Sequence, residues 1–218
     1  MELLSQLLTP ALGIAISPLP IVGLILILLG ENAKGNSVFF SIGWLIGNLT
    51  TFILALFFMG VTTSESGDTN LIQKLVFAVL GGLLIFIAIK TFMKRTKVGE
   101  EPKTPKWFAK MTSLKPMGAV GFGVVLSSAN PKNLLLSLSA GAAAGAVTQS
   151  ISEDGLAILL FGLIATSTIV IPTILFSVMG DKISHKLAEM KNWLIYNNDT
   201  ITAVMLLFIG IKILGKAF

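Results

Sequence analysis

Long apolar stretches alternate with short polar ones along the whole chain. Six stretches stand out, at roughly 7–29, 36–59, 71–92, 118–144, 155–178 and 200–215. An α-helix needs about 20 apolar residues to cross a bilayer, and the first five stretches reach that length. The sixth is short and is expected to begin earlier or to run tilted against its neighbours. The apolar positions keep no one-sided helical period, as expected for helices buried both in lipid and in one another. They do not alternate over windows of about 10 residues, as strands of a membrane β-barrel would. The first stretch lacks the basic leader and small-residue cleavage site of a signal peptide, so it reads as a true span. The pattern predicts an all-α integral membrane protein with six transmembrane helices.

Composition agrees. Of 218 residues, 54% are hydrophobic and 12% charged, and mean hydropathy is +0.86. A soluble domain carries about a quarter charged residues, so a soluble enzyme of ordinary surface is a poor fit. The absence of Cys excludes thiol redox chemistry, disulfides, iron–sulfur clusters and thiolate metal sites. A single His excludes a His-rich metal site. No cofactor is expected. The net charge of +5 reports loops facing one side of the membrane rather than a nucleic-acid partner.

The loops give an orientation. Residues 93–117 hold Lys94, Arg95, Lys97, Lys103, Lys106, Lys110 and Lys115 against Glu100 and Glu101. The positive-inside rule places this linker in the cytoplasm. The 30–35 and 179–199 connections follow it there, the latter with Lys182, Lys186 and Lys191. The 60–70 and 145–154 connections carry Glu65, Asp68, Glu153 and Asp154 without Lys or Arg, and fall outside with both termini. The linker reads as a solvated segment near anionic headgroups, with recruitment of a partner as the other use of its charge. The expected location is the cytoplasmic (inner) membrane.

An internal repeat underlies the six spans. Aligning Pro20 on Pro131 also superposes Ser17 on Ser128 and Gly30 on Gly141. Phe86-Ile87-Ala88-Ile89-Lys90 likewise matches Phe208-Ile209-Gly210-Ile211-Lys212. Residues 1–92 and 118–218 then form two three-helix repeats. An odd number of spans inverts the second repeat, the plan of many secondary transporters.

Polar residues inside the spans carry the candidate chemistry. Proline in mid-span frees a carbonyl and interrupts the helix ladder, and the freed group must find another partner in lipid. Pro18, Pro20 and Pro131 predict broken helices in spans one and four. Lys132, in Asn130-Pro131-Lys132-Asn133, is the one charge near the centre of a span. Such a charge costs about 2.5–3.5 kcal/mol or more. It belongs in a wet cavity, pairing a substrate anion, or locks the fold by bonding freed carbonyls of span one. Ser127, Asn130, Asn133 and Ser137 share a helix face, and Ser17 and Ser128 flank the prolines. Ser41, Trp44, Asn48 and Thr51 recur at similar spacing in span two, with Asn48 open to use as interhelical glue or as ligand. Gly43 and Gly47 allow close helix approach. Thr166, Ser167 and Thr168, with Pro172 beyond, are a weaker signal, because such hydroxyls readily bond their own helix. No Asp or Glu falls inside any of the six stretches. That argues against transport of hard divalent cations and against a carboxylate proton relay. No phosphate-cradling Gly-Lys-Ser/Thr motif or nucleophile–base set is present, so no enzyme is expected.

These residues resemble a known family. Ser17-Pro18-Leu19-Pro20-Ile21, Gly43-Trp44-Leu45-Ile46-Gly47, Asn130-Pro131-Lys132-Asn133 through Ala140-Gly141-Ala142, and the C-terminal Ile209-Gly210-Ile211-Lys212 are similar to the GAP family of peptidoglycolipid addressing, Sap-like proteins. The Asn-Pro-Lys also resembles the wider LysE transporter superfamily of six-span exporters. The resemblance covers nearly the whole chain. It implies two inverted three-helix repeats and a role in moving glycolipids toward the cell surface.

Three functions follow. The first is a transporter or flippase for an amphiphile with an anionic head held at Lys132, with Asn130, Asn133, Ser17, Asn48 and Ser128 around it. The second is a LysE-type exporter of a small solute such as an amino acid, for which the lack of a core carboxylate is unfavourable. The third is a non-transporting accessory of a lipid export machine. The small-residue helix faces would serve a homodimer or internal packing equally well.

Overall fold

The computed structural model describes residues 2–65, 69–97, 99–102, 105 and 107–218. Every regular element among the described residues is helical. The first stretch is α1 (Glu2–Ala15) and α2 (Pro18–Leu28), followed by α3 (Ala33–Glu65) and α4 (Thr69–Met93). A short α5 (Phe108–Met111) leads to α6 (Pro116–Val124), a π-helical turn (Val125–Ala129) and α7 (Pro131–Gly145). α8 (Ile151–Met179) and α9 (Ser184–Leu214) complete the chain, joined and ended by 3₁₀ turns.

Among the described residues, four helices are long and apolar enough to cross a membrane: Ala33–Gly60, Leu71–Met93, Ile151–Met179 and Ser184–Ala217. A fifth candidate is the pair Leu3–Ala15 and Pro18–Leu28, bent by 49°. The stretch at 118–144 is divided among α6, the π turn and α7, each shorter than a bilayer. The last helix begins well before the sixth apolar stretch, one of the two outcomes expected for so short a span. The 179–199 connection is helical from Ser184 onward, because its polar residues face outward while Leu187 and Leu194 are buried. No Gly or Pro interrupts it before Gly210. Hydropathy marks where a helix meets lipid, not where it begins.

Small residues set the packing. α3 lies against α6, the π turn and α7 through glycines on both sides. A Cβ on Gly43 would strike Val120 O, one on Gly123 would strike Phe40 O, and one on Gly141 would strike Phe52 O. The Gly43–Gly47 face is thus used inside the chain. α4 and α9 run antiparallel, with Gly81 facing Leu214 and Gly210 facing Ile85. Phe52 and Phe161 stack at 4.2 Å between α3 and α8. Outward faces carry Leu54, Phe58, Val79, Phe86, Leu163, Val178 and Phe208, all more than half exposed. So broad an apolar surface fits a multi-pass membrane protein.

The 93–117 linker is less solvated than expected. Met111 is buried, and the Trp107 ring meets Phe108 and Phe122 at 4.4 and 5.1 Å. The Glu31 amide donates to Thr112 O at 3.1 Å, and Asn36 Nδ2 donates to Leu114 O at 2.6 Å. The end of the linker is therefore docked on α2, α3 and α6. Lys103, Lys106 and Asp68, and the Glu65 side chain, lie outside the described residues.

Candidate functional site

Both helix breaks occur at the residue before a proline. The proline ring disfavours helical geometry in its predecessor, and Ser17 (ψ 114°) and Asn130 (ψ 117°) are extended. Pro18 and Pro131 then open α2 and α7, where a missing N–H costs nothing. The two breaks correspond through Pro18 and Pro131. Pro20, paired with Pro131 by sequence, sits inside the first turn of α2 and breaks nothing.

The freed groups are bonded by side chains. Thr168 Oγ1 donates to Ala15 O at the end of α1. At the second break, Asn133 Nδ2 donates to Leu126 O at 3.0 Å. Asn133 Oδ1 in turn accepts from Ser17 Oγ at 2.9 Å. Asn133 therefore clasps one break to the other. Asn130 Oδ1 caps α7 by accepting from Lys132 N at 3.1 Å.

The other polar candidates are also satisfied inside the helix packing. Asn48 donates to Trp44 O at 2.9 Å and accepts from Ser137 Oγ at 3.3 Å. Ser127 bonds Gly123 O and Val124 O, each at 2.9 Å. Ser128 bonds Val124 O at 2.7 Å. Ser41 meets Thr173 Oγ1 at 3.1 Å across α3 and α8.

Lys132 differs from all of these. Its residue is 6% exposed, yet its ammonium has no hydrogen bond or ion pair among the described residues. The freed carbonyls of the first break are not its partners. Instead it lines a cavity of about 220 Å³. Ser17, Pro18, Pro20, Asn130 and Pro131 form one wall with it. Ile87 and Thr91 of α4, and Asn198, Asp199 and Thr202 of α9, form the other. Of the residues expected around a substrate, the structure thus brings Lys132, Asn130 and Ser17 to one cavity. Asn133, Asn48 and Ser128 do not line it.

Asp199 was not expected there. It lies one residue before the sixth apolar stretch, so the spans appeared free of carboxylates. Because α9 continues through this point, Asp199 faces the same space as Lys132. The signal available in the sequence was the polar run Asn197-Asn198-Asp199-Thr200 beside a helix-compatible segment. The two charges are not in ion-pair contact. The π turn, a feature often found at functional sites, also had no sequence signal.

Two further spaces bear on this cavity. One, of about 270 Å³, is lined by Lys94, Arg95, Glu100 and Glu101 and shares Leu19, Asn198 and Asp199 with the Lys132 cavity. The other is an open apolar groove of about 640 Å³ between α3, α4 and α7, floored by residues such as Leu54, Phe58, Leu75, Val79, Leu80 and Leu138. Leu80 of the groove and Ile87 of the cavity lie on one face of α4, two turns or about 10 Å apart.

The model of one protein family, described as SfLAP, that is Sap, sulfolipid-1-addressing protein, matches residues 7–218. No curated protein and no solved structure matches the chain.

Proposed function

This chain belongs to the Sap, sulfolipid-1-addressing protein family, and on that premise we propose that it moves an amphiphile with an anionic head across the cytoplasmic membrane by alternating access. An anionic glycolipid is the favoured substrate. One observation carries the reading: a buried ammonium without a partner among the described residues faces a cavity. A charge left in that state is costly, and a ligand anion relieves the cost. The apolar groove on the same face of α4 suits the lipid tail. The six-span inverted-repeat reading counts α1–α2, α3 and α4 as one unit and α6–α7, α8 and α9 as the other. The matching breaks at Ser17-Pro18 and Asn130-Pro131 support it, because discontinuous helices form the binding sites of many inverted-repeat transporters. Basic residues 94–115 would then face the cytoplasm and both termini the outside. The chain acts as a carrier, not an enzyme, and a homodimer remains part of the proposal.

Asp199 favours a second reading, export of a small zwitterion such as an amino acid. Its carboxylate supplies the acceptor that an amine-bearing solute requires and that the six stretches lack.

Native mass spectrometry of the purified chain in mild detergent, beside Lys132→Ala, tests the choice. Lipid transport predicts an anionic lipid retained by the parent and lost by the variant. Identical nonspecific lipids on both would remove the support for lipid transport, and amino-acid efflux would decide the second reading.

A further inference from the structure

We propose that Asn198 and Asp199 are specificity-determining residues, forming the acceptor pole of a two-pole head-group site whose donor pole is Lys132. The proposal rests on the reading that the Lys132 cavity receives the substrate. It adds that the head must carry a hydrogen-bond donor beside its anion, either an ammonium or a hydroxyl.

Three observations converge on this wall of the cavity. Lys132 and Asp199 both line it but do not pair with each other, which leaves space between opposite charges for a ligand. Asn198 Nδ2 donates to Asp199 Oδ1 at 2.7 Å. The same Asn198 leaves its Oδ1 buried and without any hydrogen-bond partner. A buried acceptor in that state is destabilising until a donor reaches it, and no described protein group does. Asn198 Oδ1 therefore awaits a donor, beside a carboxylate held by the same amide, in a cavity also lined by an ammonium that awaits an acceptor. Size agrees as well. A space of about 220 Å³ matches roughly seven waters at about 30 Å³ each, enough for a phosphate or sulfate with a short polar arm.

Asn198 and Asp199 also stand where this cavity meets the outer one lined by Lys94, Arg95, Glu100 and Glu101. A head entering from the charged side passes the acceptor pole before reaching Lys132. A purely structural role, in which Asp199 only balances Lys94 and Arg95, would leave ligand choice untouched.

The test uses the full chain in mild detergent and three probes measured by calorimetry. Methyl phosphate offers an anion alone, phosphoethanolamine an anion with an ammonium, and glucose 6-phosphate an anion with hydroxyls. At least one two-pole probe is expected to bind about tenfold more tightly than methyl phosphate, the scale of a hydrogen bond involving a charged group. Asp199→Asn should abolish a preference for phosphoethanolamine while leaving methyl phosphate within about twofold. Its amide oxygen still accepts from hydroxyls, so a preference for glucose 6-phosphate should instead fall in Asn198→Ala. Equal binding of the three probes to the parent overturns the proposal, whatever the variants do. So does a preference that survives both substitutions. Lys132→Met separates the two levels: if it binds all three probes like the parent, the underlying site is wrong. If it loses them while Asn198 and Asp199 prove indifferent, only the acceptor pole is wrong.

Discussion

The two helix breaks share a geometry and differ in what they leave unpaired. At the first, Ala15 O is bonded by Thr168 and Ser17 Oγ by Asn133. At the second, Leu126 O is bonded by Asn133, yet the next residue toward the break, Lys132, is buried with no partner for its ammonium among the described residues. Both breaks need a proline and a side-chain donor to be tolerated in an apolar environment. Only the second also holds a charge. Within Asn130-Pro131-Lys132-Asn133, adjacent residues thus differ: Asn133 bonds both breaks, and Lys132 lines a cavity, where the proposed site lies. This separation of clasp from site can be broken by substitution.

The largest effect on stability is expected at Asn133. Asn133→Ala removes bonds to both breaks and leaves Leu126 O buried without a donor. Losing such partners costs about 1–3 kcal/mol for each orphaned group, so a total of about 3 kcal/mol is expected from thermal unfolding in detergent. A cost below about 1 kcal/mol would deny that Asn133 is a clasp. Thr168→Val should cost about 1–2 kcal/mol, because Ala15 O loses its one side-chain donor. If Thr168→Val proves more harmful than Asn133→Ala, the first break is the weaker one and the comparison reverses. Lys132→Met should gain about 1 kcal/mol in the same unfolding measurement, since an unpaired buried charge is removed. Ser128→Ala should change stability by less than about 0.5 kcal/mol, because its hydroxyl bonds the preceding turn at Val124 O and does not line the Lys132 cavity.

Much of this was legible in the sequence. Pro18 and Pro131 announce the breaks, because proline constrains its predecessor wherever it stands. Gly43 and Gly47 announce a close helix contact, though not that α6 and the π turn would fill it. Lys132 stands out by cost alone. Other features depend on what tertiary packing brings together. Asn133 and Ser17 are 116 residues apart, and no local spacing reveals their bond. Thr168 reads as a hydroxyl bonded to its own helix, and only the approach of α8 to the end of α1 makes it a donor to Ala15. Asp199 escaped because hydropathy ends a span where polarity begins, whereas α9 runs on through Ser184–Leu214. Its carboxylate then lines the same cavity as Thr202 of the sixth stretch and Lys132.

The most direct test is the unfolding temperature of the parent and Lys132→Met in detergent, with and without added phosphatidylglycerol, with phosphatidylcholine as control. A ligand that binds only the folded state raises the unfolding temperature with concentration. The account predicts that phosphatidylglycerol stabilises the parent more than phosphatidylcholine does, while Lys132→Met is no less stable alone and loses that difference. A Lys132→Met variant that unfolds earlier on its own, yet still gains as much from phosphatidylglycerol as the parent, would make Lys132 a lock and contradict the account.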